Sequence, residues 1–240
     1  MTASELNLTS YGSTSARIVF ADLDITLHAS GAAFLPDSAS LVVSDLHLEK
    51  GSAARGFIPA LDTRDTLQRL GRTIALFQPR RVVCLGDSFQ DARAGERMAQ
   101  VDRDALLSLC GKVETWVWVS GNHDPHTPPF CPGLKVDCLP IGGIAFRHQP
   151  EAGEIAPQVT GHFHPKARIA TGAGHITGRC FCVSERLLIM PAFGAYTGGL
   201  DCCDPAIRSV QPGPRKLVML HKGKLWRVAD GGGRNRVASP

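Results

Sequence analysis

An α/β domain with a parallel core is what the sequence predicts, and three observations predict it. Apolar, β-branched runs at Leu41–Val43, Arg81–Leu85 and Thr115–Val119 alternate with segments of helical period. Each run leads straight into a short motif of glycine with Asp, Asn or His: SDLHLEK (44–50), GDSFQD (86–91) and SGNHDP (120–125). Beyond Pro125 the chain turns to short strand-like runs rich in Gly and Pro, which reads as a second sheet. Strand–helix–strand order implies right-handed crossovers, and open α/β sheets bind ligands at strand C-termini.

The elements follow in order. Residues 1–15 are Ser- and Thr-rich with no apolar period and are expected to be a disordered tail. Arg17–Phe20 and Asp24–His28 read as strands, and Leu41–Val43 as a third. With side chains alternating at period two, Asp45 and His47 would project to one side just beyond it. Leu67, Leu70, Ile74 and Phe77 make a helical stripe, with Asp62 or Thr63 as N-cap and Pro79 as the stop. Arg64, Arg69 and Arg72 fall off that stripe and read as a solvated face. Arg81–Leu85 delivers Gly86, which lets the backbone turn sharply, and Asp87, placed to bridge two ions. A second helix, Ala99–Leu109, precedes the strand TWVWV, which delivers Asn122, His123 and Asp124. Asn122 offers an amide oxygen, His123 reaches the substrate side, and Asp124 is the expected orienter of its imidazole.

In the second half, Ile144–Arg147 leads to His148, and Gln158–Thr160 to GHFHP (161–165), with His162 and His164 at i and i+2. Phe181–Val183, Arg186–Met190, Leu217–Leu220 and Leu225–Val228 read as further strands. PAFGAYTGGL (191–200), with three glycines and no charge, reads as a loop packed close to the site. No Pro/Ser-rich linker divides the core, so 16–229 is expected to be one domain, with 230–240 a flexible Gly-led tail.

Composition bounds the class. The 240 residues are 43% hydrophobic and 20% charged, enough for one sizeable core. No apolar run has transmembrane length and the N-terminus lacks a signal-peptide h-region, so a cytoplasmic location is expected. The net charge of +4 is mild, but eight Arg or Lys from Arg208 onward face one acid, Asp230, a segment able to lie along phosphates or simply to stay solvated. The eight cysteines are expected to be reduced thiols; Cys180, Cys182, Cys202 and Cys203 have C-x-C and C-C spacings unlike those of zinc fingers or ribbons.

Asp45, His47, Asp87, Asn122, His148, His162 and His164 are too many donors for one tetrahedral ion. They suit two divalent ions about 3.5–4 Å apart sharing a carboxylate. Hard oxygen with imidazole nitrogen suits Mn, Fe or Zn, not Ca or an iron–sulfur cluster, and Mn2+ is the expected metal.

D-x-H, G-D-x-x-x-D, G-N-H-D and G-H-x-H in this order resemble the calcineurin-like metallophosphoesterase superfamily. That resemblance implies a sandwich of two central mixed β-sheets flanked by helices. DLHLEKGS (45–52), LDTRDTL (61–67), LGDSFQD (85–91), GHFHPKAR (161–168) and PAFGAYTGGLD (191–201) further resemble the ligase-associated DNA damage response endonucleases, over about residues 16–228. Gln90 departs from that pattern, where His is expected. The resemblance places Asp45, His47 and His164 on one ion, Asn122, His148 and His162 on the other, and Asp87 between them. It makes His123 the general acid, with Asp124 supporting it, and Asp91 an outer contact. It implies a phosphodiesterase acting on DNA, associated with a DNA ligase or helicase. Small-molecule phosphodiesterases, pyrophosphatases and protein phosphatases would use the same seven donors. A non-catalytic interaction module is disfavoured, because no donor is missing.

Overall fold

The computed structural model describes residues 13–53, 61–171 and 174–230. The first sheet begins with Ser15–Phe20 (β1), Leu23–His28 (β2), Ala33–Leu35 (β3) and Ser40–Val43 (β4), paired antiparallel in that order. Two helices follow, Lys50–Ala53 (α1) and Asp62–Phe77 (α2), then Arg81–Leu85 (β5), Ala94–Arg97 (α3), Gln100–Cys110 (α4), Thr115–Val119 (β6) and Leu134–Val136 (β7). From β4 to β7 the strands are parallel, with Val42 beside Val83 and Val83 beside Val117. Both faces of β4, β5 and β6 are covered, which is why they read as unbroken apolar runs. Val42, Val83, Leu85, Val117 and Val119 pack toward the second sheet, while Leu41, Val43, Val82, Cys84, Trp116 and Trp118 pack with α2 and α4.

The second sheet contains Cys138–Ile141 (β8), Ile144–Arg147 (β9), Gln158–Thr160 (β10), Lys166–Thr171 (β11), Gly174–Val183 (β12) and Leu187–Ile189 (β13). After the short helix Pro205–Val210 (α5), Lys216–His221 (β14) and Lys224–Val228 (β15) complete it in the order β15-β14-β12-β13-β10-β9-β8, with β11 paired to β12. β10 is parallel to both β9 and β13, so the sheet is mixed. The two sheets close on a shared core that includes Phe20, Leu27, Phe146 and Phe181. Fully burying a side chain of the size of Phe146 or Phe181 contributes about 1.5–3 kcal/mol. The outer face of the second sheet holds its own apolar cluster around Cys182, Leu217 and Ile207. The result is the two-sheet sandwich with flanking helices.

Several local expectations change. Asp62 and Thr63 do not cap α2; the N-cap is Leu61, without a side-chain bond. Both are buried and tie down the loop after β4 instead. The Gly51 amide donates to Asp62 Oδ2 at 3.0 Å, and the Glu49 amide to Thr63 Oγ1 at 2.8 Å. Arg69 is not solvated: its guanidinium stacks 4.7 Å over the Phe193 ring and donates to the Phe193 carbonyl. Residues 13–15, assigned to a tail by composition, are paired, Ser13 bridging Leu225 and Ser15 opening β1. The rest of that tail, and all of the 230–240 tail beyond Asp230, lie outside the described residues. Of the basic C-terminal residues, Arg208 and Arg215 both grip Asp230 and so are engaged within the fold. Arg234 and Arg236 lie outside the described residues. Among the described residues no helix is long and apolar enough to cross a membrane.

Candidate metal centre

The ends of β4, β5, β6, β9 and β10 converge on one edge of the sandwich and bring all seven predicted donors together. They do so through a different geometry from strand alternation. Asp45, His47, Asp87, His162 and His164 all have positive φ, between 44° and 71°. Non-glycine residues in this left-handed region cost of order 1 kcal/mol or more each, and persist where surrounding contacts over-determine them. Those contacts are visible. The Asp45 amide donates to the Gly86 carbonyl, the His47 amide to Asp87 O at 2.9 Å, and the Leu48 amide to Ser88 O at 2.9 Å. The two loops therefore lock each other in place, each turning its donor side chains inward.

The donors form two groups. Asp45, His47 and His164 make one, with His164 Nε2 3.1 Å from Asp45 Oδ1 and 3.2 Å from His47 Nε2. Asp87, His148 and His162 make the other, with Asn122 Oδ1 2.9 Å from His148 Nε2. Asp87 Oδ2 lies 3.3 Å from His148 Nε2 and 3.9 Å from His47 Nε2, between the groups. Donors bound at about 2.1 Å around one ion stand about 3 Å apart or somewhat more, so these separations fit.

Hydrogen bonding gives an independent test of that fit. His148 Nδ1 faces the Leu85 carbonyl at 3.0 Å and must carry the hydrogen. Its Nε2 lone pair then points at two oxygens, Asn122 Oδ1 and Asp87 Oδ2. Lone pairs meeting at these distances need a proton or a cation between them. Burial lowers the His148 pKa, but the bond to Asp87 and the charges of Asp45 and Asp87 outweigh it and raise it to about 9. An ion bound there takes the place of that proton. In the first group, burial drives His47 down to about 4 against the pull of Asp45, so its ring is already neutral and ready to ligate. Burial pushes Asp87 upward, yet His148 and the His123 amide hold it well below the ordinary carboxylate range. Asp45 is likewise lowered, because His164, His148 and Ser44 outweigh its burial.

The calcineurin-like phosphoesterase family model matches residues 40–201, the segment that carries every one of these donors. The chain belongs to the calcineurin-like phosphoesterase family. Among solved structures it is similar to the nuclease MPE of Pseudomonas putida, at 25% identity and a TM-score of 0.71, covering 89% of this chain and 99% of that one. A second, Yfce, a phosphoesterase from E. coli, has 15% identity over 83% of this chain and 99% of its own, with a TM-score of 0.35. No curated protein matches the chain. The family and the nuclease neighbour agree with the resemblance read from the motifs, and the protein is a phosphoester hydrolase.

Within this phosphoesterase, three residues do something other than their motifs suggest. Gln90 is no remote accessory: its Oε1 lies 3.2 Å from His47 Nδ1, fixing the hydrogen there and aiming Nε2 inward. Outer partners of ligating histidines are worth about 10–100-fold in metal affinity. Gln90→Ala is therefore expected to weaken one of the two sites by that factor, measured by competition with a chelator, and to spare the other. Asp124 does not orient His123. It is buried, its Oδ2 accepts from the Phe89 amide at 3.0 Å, and burial raises its pKa to about 7. The His123 ring is held instead by the Gln90 carbonyl, 3.0 Å from Nδ1. Asp124 braces the loops, and no Cβ would fit at Gly121 between it and Asp87. Asp91 binds Arg97 at 2.7 Å and lies on the rim. The 191–200 loop is strapped to the centre by Phe193 N to Ser44 O (2.7 Å) and Gly194 N to Asp45 O (3.0 Å), and from behind by Arg69 and Arg179. Those two half-buried arginines gave no sequence signal, since a guanidinium bound to a distant carbonyl follows no motif.

Proposed function

We propose that this chain is a dinuclear metal-dependent phosphodiesterase whose substrate is DNA, cut internally as by an endonuclease. Asp45, His47 and His164 would hold one ion and Asn122, His148 and His162 the other, with Asp87 serving both. The donor set mixes imidazole and carboxylate and so admits Mn, Fe or Zn, with Mn2+ the expected metal. The observation that carries the reading is Asp87 Oδ2 lying within 4 Å of nitrogens from both groups. When bound, the two ions supply charge to clamp phosphate oxygens and to acidify a water. The chain's residues supply the rest. Asp45 and Asp87 offset part of the ionic charge, leaving the centre attractive to an anion. His123, whose Nδ1–H is engaged by the Gln90 carbonyl, places Nε2 4.0 Å from Asp87 Oδ2, at the exposed margin of the centre. In its protonated form it can give that Nε2 proton to the leaving oxygen. DNA as substrate rests on the likeness to a nuclease, and any DNA ligase or helicase partner on the family resemblance alone.

One observation favours a smaller substrate. The cavity of about 370 Å³ beside Asn122 and His148 is rimmed by Asp137 and Glu151, and its Arg147 is engaged by Glu151 and Glu154. That rim is no basic track for a phosphate backbone. Metal-stripped protein given Mn2+ should hydrolyse bis(p-nitrophenyl) phosphate and a labelled DNA strand, and Asp87→Ala should abolish both. Diester turnover with intact DNA would move the assignment to a small-molecule phosphodiesterase. No turnover of either with any divalent metal would remove the phosphodiesterase reading.

A further inference from the structure

Strand β12 sets Cys180 and Cys182 two residues apart, hence on one face, and the turn 201–204 after the 191–200 loop presses Cys202 against them. The Sγ atoms of Cys182 and Cys202 are 3.3 Å apart, and all three thiol sulfurs lie within 4.8 Å of one another. All three side chains are fully buried. Cys203, the next residue, is half-exposed and outside the group. Sulfurs at about 2.3 Å from a tetrahedral zinc stand about 3.8 Å apart, within the observed range.

A buried thiol is commonly only a small apolar side chain. Here the surroundings are charged. Arg215, its side chain entirely buried, donates through Nε and Nη2 to Asp230, while its Nη1 has no hydrogen-bond partner among the described residues. Asp230 also binds Arg208, so the two guanidiniums and one carboxylate carry a net +1 beside the thiols. Three thiolates around a divalent ion carry −1, and the two charges cancel. We propose that Cys180, Cys182 and Cys202 form a third cation site, structural and separate from the catalytic pair, for a thiophilic d10 ion such as Zn2+.

The site's place in the fold gives it a task. The Cys202 amide donates to Lys166 O and the Lys166 amide to Leu200 O, both at 2.8 Å, and the Leu200 amide reaches Phe163 O. An ion joining Cys202 to β12 would pin this strap directly behind His162 and His164.

Cobalt is the probe, because thiolate ligation gives an intense near-ultraviolet sulfur-to-metal band that the His/Asp centre cannot. Metal-stripped full-length protein should take up a third equivalent of Co2+ with that band, and Zn2+ should bleach it. Cys182→Ser and Cys202→Ser should each lose the band and the third equivalent while keeping the other two. Asp87→Ala should keep the band. Should the variants not fold, the wild-type protein decides alone: one equivalent of Zn2+ at this site should shield three thiols from a thiol reagent in mild denaturant. Saturation at two equivalents with no sulfur band would overturn the proposal. So would a thiol count two short in the protein as purified, which would mean a Cys182–Cys202 disulfide.

Discussion

If His123 is the proposed general acid, His123→Ala should keep both metal equivalents of the His/Asp centre and lower turnover of a phosphodiester with an alkoxide leaving group by about 10²–10⁴-fold. The geometry separates His123 from the donors around it. Its ring is 42% exposed where the His47 and Asp87 side chains are each 3% exposed, and its one ring hydrogen bond runs to the Gln90 carbonyl. Removing the ring takes no donor from either group, although the backbone N–H at 123 must still reach Asp87 Oδ1, 2.9 Å away, and alanine retains it. The leaving group sharpens the expectation. A p-nitrophenolate departs without a proton, so bis(p-nitrophenyl) phosphate should lose far less rate than a substrate expelling a sugar alkoxide. Metal analysis and the ratio of the two rate losses are the measurements. Equal losses on both substrates would make His123 a phosphate-binding group, and wild-type rates on both would remove it from the chemistry.

The contrast between His123 and Asp124 also shows which parts of the centre a sequence can carry. Strands β4, β5 and β6 were legible because burial on both faces leaves an apolar run, and the donors because glycine, Asp, Asn and His cluster where those runs stop. β7 was not legible: Leu134–Val136 is an edge strand with two exposed residues, and nothing in its composition demands pairing. Residues 166–183 hide β11 and most of β12 for a related reason, since outer positions such as Arg168, Ala170 and His175 are exposed and polar or small. The gathering of these Asp, Asn and His side chains was readable, but the way they face inward was not. It comes from left-handed turns held by amide bonds between the β4 and β5 loops, a non-local fact. The same limit explains Asp124 and Gln90. Adjacency in sequence suggested Asp124 for the His123 ring, while the loop from β5 arrives first with a backbone carbonyl.

Gly161→Ala should cost the protein one metal equivalent and nearly all activity, although residue 161 bears no donor and needs no unusual φ. A Cβ built there would overlap the Ser44 hydroxyl and Asp45 Oδ2, the pair whose mutual hydrogen bond fixes the Asp45 carboxylate. The backbone cannot yield easily. Gly161 donates to the His148 carbonyl at 3.0 Å, and the next amide, of His162, donates to Asp45 Oδ2 at 3.1 Å. The methyl therefore displaces Asp45 and drags the His162-Phe163-His164 turn with it, disturbing donors of both groups. Overpacking of this kind typically costs about 1–3 kcal/mol, and each kcal/mol lowers the melting temperature of a chain this long by about 2–4 °C. Gly198→Ala is the control, since a Cβ at that position meets nothing within 4 Å. It should leave melting temperature and metal content unchanged. If Gly161→Ala keeps both equivalents of the His/Asp centre and its melting temperature as well, the close approach of the β4 and β10 loops is not what positions Asp45. The loop bonds from Gly86 and Gly194 would then have to hold it without help.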